Sequence, residues 1–264
     1  MKRQALAGLM LAATLLVGCG PAFGPKAANG VTFYCPGAGN SDFGDAGVRE
    51  GLERAGYDGE VAAILWTISF NVAIDQALKF NAHLGGSKLA SYIREYKRQY
   101  PDGAINIVGL SAGTGVAVWA LEELDGKIKV DNVVLLGSSL SHKYDVSKAL
   151  RSVSGKIYCY YSPNDAILAG PMKVFGTIDG VFLTEGAGSV GLQPPPSGKD
   201  RVINVRWRPE FQQYGYAGGH TDSTSAPFVR QYLSKHLLTP GDGGSLRIDT
   251  ANSAGSDSRL AHLD

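Results

Sequence analysis

The chain is poor in the features that mark several large protein classes. It has three cysteines and neither a C-x-x-C nor an H-E-x-x-H spacing, so the common zinc-site patterns are missing and no metal is expected. The apolar stretch at residues 5–17 is too short and too interrupted to span a bilayer comfortably. Charge is close to balance, with 25 Lys and Arg against 24 Asp and Glu, which argues against a nucleic-acid partner. No internal repeat is evident. What remains is the length and composition of one α/β domain with a large core.

The amino end reads as an address rather than as structure. Lys2 and Arg3 precede the apolar stretch, which ends Leu16-Val17-Gly18-Cys19. This resembles a bacterial lipoprotein signal, in which cleavage before the cysteine is followed by its lipid modification. The resemblance implies a signal over residues 1–18, acylation at Cys19 and a Gly/Pro/Ala-rich tether over residues 19–30. An ordinary secretory signal, with Cys19 discarded, is the alternative. Gly20 rather than aspartate follows the cysteine, so by the same resemblance nothing retains the protein at an inner membrane. The expected location is the cell envelope, lipid-anchored, at the outer membrane in a diderm host. Loss of Lys2 and Arg3 leaves one basic residue fewer than the acidic total. Residues 239–264, rich in Gly, Asp, Ser and Ala, read as a disordered tail.

Between these ends, residues 31–238 alternate strand and helix patterns. Strands are expected at 31–35, 60–66, 105–108, 131–137, 156–161 and 202–207. Helices are expected at 45–55, from a cap at Ser87 to Pro101, from 112 to 124, and from Ser225 and Pro227 toward Pro240. The Gly85-Gly86 pair reads as the break before the second helix. Such an order implies right-handed crossovers and a mostly parallel sheet of about six strands with helices on both faces.

One strand-to-helix junction stands out. Ile105, Ile107 and Val108 form a buried strand, and Ala112, Val116, Ala120 and Leu124 recur at helical spacing. Between them lies Gly109-Leu-Ser111-Ala-Gly113, the G-x-S-x-G pattern. A serine on so tight a turn is crowded by backbone on both sides, and glycines two residues away remove the side chains that would collide. The turn lifts the hydroxyl above the sheet and sets the Ala112 N–H at a helix N-terminus.

On these residues the chain resembles the α/β-hydrolases, the serine esterase and lipase superfamily, over roughly residues 31–238. The resemblance implies an α/β-hydrolase fold and, since residues 138–155 are few, no large cap domain, as in small cutinase-like members. It implies a carboxylic ester hydrolase in which Ser111 is the nucleophile. The family's acid follows the penultimate strand, where Asp165 stands in Ser162-Pro-Asn-Asp165. Its histidine follows the last strand, where His220 stands after Gly218-Gly219. Asp145 and Asp179 are rivals for the acid. The second oxyanion-hole donor is expected at Ala38, after Pro36-Gly37 in place of the family's His-Gly, alongside Ala112. Ile167, Leu168, Met172 and Phe182, in the long Gly- and Pro-rich stretch 166–200, are candidates to line an acyl pocket. The family's strand order would place two strands between Cys35 and Cys159, so these read as separate buried thiols rather than a disulfide. An acyltransferase needs the same triad, and a non-catalytic surface lipoprotein could keep the fold as a binding module. The expected partners are an ester or lipid substrate and the membrane that holds Cys19.

Overall fold

A computed structural model describes residues 23–40, 44–66, 79–170 and 176–238. The expectations for the signal, for Cys19, for Met172 and for the tail from residue 239 lie outside them.

In chain order the regular elements are β1 (Val31–Cys35), α1 (Gly44–Arg54), β2 (Glu60–Ala63), α2 (Lys79–Gln99), β3 (Ile105–Leu110) and α3 (Gly113–Leu124). Then come β4 (Asn132–Leu136), α4 (Ser147–Leu150), β5 (Ile157–Tyr161), α5 (Ala166–Ala169), α6 (Ala187–Val190) and β6 (Val202–Arg206). The last helical run is α7 (Ala226–Phe228), a π-helical turn (Val229–Leu233) and α8 (Ser234–Leu237). The strands lie in the order β2-β1-β3-β4-β5-β6, and every adjacent pair is parallel. Parallel neighbours cannot be joined by hairpins, so each connection crosses a face of the sheet, and the helices are those crossings.

Strand periodicity divides the core into two layers. Phe33, Cys35, Ile105, Ile107, Val133, Leu135 and Ile157 face one side, where Leu89, Ile93 and Tyr96 of α2 and Val116, Ala120 and Leu124 of α3 cover them. Tyr34, Val108, Leu110, Val134, Leu136 and Tyr160 face the other, under Val48 and Leu52 of α1 and Phe228, Leu233 and Leu237 of the last helical run. Each large apolar side chain so buried contributes about 2 kcal/mol relative to exposure. The central strands β1, β3 and β4 are buried along their whole length, whereas β6, at the sheet edge, buries only Val202 and then alternates half-buried and exposed positions.

Three expectations need correction. Gly85-Gly86 does not end a connection: α2 begins at Lys79 and runs through the pair. A Cβ on Gly85 would come within 2.6 Å of Trp66 Cβ, and one on Gly86 within 3.0 Å of Trp119 Cβ. Close packing of α2 on its neighbours thus offsets the roughly 1 kcal/mol that a helical glycine costs. The second strand stops at Ala63 rather than at Trp66, because the chain turns inward for the Trp66 Nε1–H to donate to Pro36 O at 2.8 Å. Residues 23–30, expected as tether, are packed: Phe23 sits edge-on to Phe33, Tyr96 and Tyr100, and Ala27 is fully buried. Between β4 and β5 lie only α4 and loops.

Candidate active site

The site forms at the carboxyl ends of β3, β5 and β6. At the end of β3 the backbone of Ser111 takes φ +54°, a left-handed conformation that costs a non-glycine residue about 1 kcal/mol or more. Neighbours hold it there. Ser111 N–H donates to Leu136 O at 2.9 Å, and Ser111 O accepts from Thr114 N at 3.1 Å and from Thr114 Oγ1 at 2.5 Å. Both motif glycines are required by close approach. A Cβ at Gly113 would lie 2.2 Å from Cys35 O and 2.4 Å from Pro36 O, and one at Gly109 would lie 2.9 Å from Gly113 O.

The same approach sets the loop after β1 beside the turn. Ala38 opens a single 3-10 turn, Ala38–Asn40, anchored by Trp66 through its indole bond to Pro36 O and by Trp66 N–H to Asn40 Oδ1 at 3.3 Å. Ala112, fully buried, directly precedes α3. Backbone N–H groups at a helix start carry partial positive charge and suit a developing anion.

Asp165 follows β5 and is 2 % exposed. Its two oxygens have separate roles. Oδ1 accepts from Ile167 N and Leu168 N, both at 3.1 Å, capping α5. Oδ2 faces His220 Nδ1 at 2.7 Å. The cap fixes the carboxylate plane, so the free oxygen points one way. An acceptor-only carboxylate at Nδ1 places the imidazole proton there and leaves the Nε2 lone pair toward Ser111 Oγ, which is 2.7 Å away.

His220 is held by its loop. Gly219 N–H donates to Asp222 Oδ2 at 2.9 Å, and Gly218, at φ +101°, passes close to Ser162 and Asn164. Gly137, at the end of β4, lies under the pair: a Cβ there would sit 3.4 Å from both Asp165 Oδ2 and His220 Nδ1. Ser111, His220 and Asp165, 109 and 55 residues apart in sequence, therefore form one unbroken hydrogen-bonded line.

The rivals are engaged elsewhere. Asp145 accepts from Ser147 N at the start of α4, and Asp179 accepts from Ser141 N and Oγ. His83 stacks on Trp119. His236 stacks on Tyr158 and meets Tyr160 Oη at 2.9 Å. Of the acyl-pocket candidates, Leu168 is buried while Ile167 and Phe182 are exposed. Cys35 and Cys159 are free, buried thiols on β1 and β5, with β3 and β4 between them; burial pushes Cys35 far up, and Cys159 up to about 12 against the opposing pull of the Leu192 backbone. Among the described residues no cluster of three or more His, Cys, Asp and Glu could hold a metal ion.

Sequence reasoning missed Thr114. Its hydroxyl binds Ser111 O and lies 2.9 Å from Ser138 Oγ. A threonine in the first turn of a helix bonding back three residues is too common a pattern to signal a site.

A family model described as alpha/beta hydrolase matches residues 44–173, which include Ser111 and Asp165. The chain has the α/β-hydrolase fold, and a little under half of it matches that family's model. No curated protein matches the sequence. Among solved structures it resembles lipase B of Aspergillus fumigatus, with 16% identity and a TM-score of 0.50 over 87% of this chain. It spans 58% of that lipase's length. A cutinase-like protein from Cryptococcus sp. is 15% identical, with a TM-score of 0.41 over 85% of this chain and 100% of its own. A lipase-esterase related protein from Clostridium acetobutylicum is 9% identical, with a TM-score of 0.48 over 81% of this chain and 97% of its own. At such identities the likeness is one of fold.

Proposed function

We propose that this protein cleaves carboxylic esters through an acyl-enzyme intermediate. The observation that carries the reading is the line from Ser111 Oγ through His220 to Asp165, with both contacts at 2.7 Å. Ser111 Oγ attacks the ester carbonyl carbon while His220 Nε2 takes its proton. Asp165 holds the ring and stabilises the imidazolium. The N–H groups of Ala38 and Ala112 receive the oxyanion, each contributing about 3 kcal/mol. The intermediate collapses, the leaving alcohol takes the proton from Nε2, and the acyl group remains on Ser111. A water, deprotonated by His220, then attacks the acyl carbon; the second intermediate collapses, the bond from the acyl carbon to Ser111 Oγ breaks, Oγ takes the proton back from Nε2, and the acid leaves. Nothing in these steps calls for a cofactor.

Acylation at Cys19 and an envelope location belong to the same reading, supported by the signal-like residues 2–18. Names of fold neighbours such as lipase and cutinase-like protein are in keeping with an ester substrate.

Labelling with a fluorophosphonate probe tests the nucleophile without a guess at the substrate. An adduct on Ser111, absent from a His220→Ala variant, is expected. Folded protein that takes no adduct, or hydrolyses a panel of esters equally well after Ser111→Ala, would overturn the reading. New ester formed on adding acceptor alcohols would redirect it to acyl transfer.

A further inference from the structure

The polypeptide enters the domain at the end opposite the site. Phe23 packs between Tyr96 and Tyr100, with ring centroids 5.3 and 6.5 Å away, and Ala27 O accepts from Tyr96 Oη at 2.8 Å. These contacts lie at the amino ends of the strands, where Val31 N–H donates to Ala104 O. Ser111, Asp165 and His220 lie at the carboxyl ends.

Helix α2 measures the distance between these ends. Its first turns stand at the carboxyl end, where Lys88 Nζ donates to Leu65 O at 2.7 Å and Lys79 Nζ donates to Asp179 O at 2.5 Å. Its last turns carry Tyr96, beside Phe23. The rise from Phe80 to Tyr96 is ~24 Å.

The carboxyl end also carries exposed apolar side chains. Leu65, Phe80, Leu84, Ile167, Phe182 and Leu183 are each more than half exposed, Leu183 at 93%. Soluble surfaces rarely gather such residues at one end unless an apolar partner covers them. The anchoring membrane is badly placed to be that partner. Four residue steps separate Cys19 from Phe23, a reach of at most ~14 Å. Turning the site toward the membrane that holds Cys19 would lift Phe23 ~24 Å from it, beyond that reach.

We infer that the apolar rim docks on a second, ester-bearing lipid membrane facing the one that holds the amino end, so that the enzyme acts in trans. The inference rests on the ester-hydrolase reading and on acylation at Cys19. It takes substrate from the facing membrane and spares the anchoring leaflet.

The test uses the full acylated protein inserted from outside into vesicles of dialkyl-ether phosphatidylcholine. A non-exchanging fluorogenic long-chain triacyl ester is placed either in those vesicles or in separate protein-free ones. Hydrolysis is expected to be at least tenfold faster with the substrate in separate vesicles. Inserting ~30 Gly/Ser residues after Cys19 gives the tether more than enough reach and should raise same-vesicle hydrolysis to the other rate. Combined Phe80→Ser and Leu183→Ser substitution should lower separate-vesicle hydrolysis several-fold and leave a water-soluble short-chain ester unaffected. Same-vesicle hydrolysis by the natural chain equal to that of the extended chain would overturn the inference, as would separate-vesicle hydrolysis indifferent to the rim substitutions. The supporting readings fail differently. A Cys19→Ser protein that still floats with vesicles removes the anchor, and short-chain hydrolysis that survives Ser111→Ala removes the esterase.

Discussion

The two halves of the candidate site are held by different means. The serine half lies at the centre of the sheet, where β3 and β4 are wholly buried and backbone meets backbone. The histidine half lies toward the edge, beside a strand exposed at alternate positions, in a loop fixed mainly by side-chain caps. A group that must attack at one point is placed by packing, which tolerates no displacement. A group that must pass a proton between two partners is placed by hydrogen bonds, which allow a small swing. The halves should therefore fail differently when perturbed.

The largest separation is expected from Ser111→Gly. Removing the hydroxyl should lower ester hydrolysis at least ~10⁴-fold. Glycine also adopts φ +54° without strain, so the same change should raise stability by about 1 kcal/mol. Activity on an ester panel and a denaturant titration check both signs. A variant that loses stability would mean that the serine half is not strained in the way its backbone indicates.

Asp165→Asn is expected next, with a loss of about 10³- to 10⁴-fold in kcat. An asparagine can still cap α5 through its oxygen, but it then offers His220 Nδ1 an amide N–H in place of an acceptor, and the ring takes the wrong tautomer. Folding should be little changed. A variant that unfolds instead would show that the cap, rather than the histidine contact, dominates at this residue.

Asp222→Ala touches neither substrate nor triad. It removes the acceptor of Gly219 N–H and frees the loop that presents His220. The expected result is a roughly tenfold lower kcat with KM little changed, and a stability loss of about 1 kcal/mol. A kcat unchanged by the substitution would erase the contrast between the halves.

The same contrast explains what the amino-acid sequence disclosed. The serine half is contiguous: a β-branched run, two glycines around a serine and a helical repeat fall within twenty residues, so local pattern reveals it. Asp165 and His220 were legible mainly through their order after the last two strands, since an aspartate or histidine in a loop carries little local signal. Gly85-Gly86 was misread because a glycine pair signals a break by propensity, and here it serves close packing against Trp66 and Trp119. The bonds of Thr114 to the elbow and the docking of Phe23 on Tyr96 depend on contacts that sequence does not display.

The smallest effect lies behind the histidine half, where His236 supports β5 from below. Burial, aided by Lys235 and Lys156, lowers its pKa from 6.5 to about 4. The unfolded chain therefore binds this proton at a higher pH than the folded one does. Stability should fall as pH drops below about 6.5, with the loss complete near 4. Because the ring is partly exposed, solvent screening reduces the contribution to about 1–2 kcal/mol. His236→Phe keeps the stack on Tyr158 and gives up the contact with Tyr160 Oη. It should thus be about 1 kcal/mol less stable at pH 7 and no less stable at pH 4. Denaturant midpoints measured across that range decide it: parallel curves would mean that His236 does not titrate between the two states, and converging curves that acid first weakens the edge that carries the histidine.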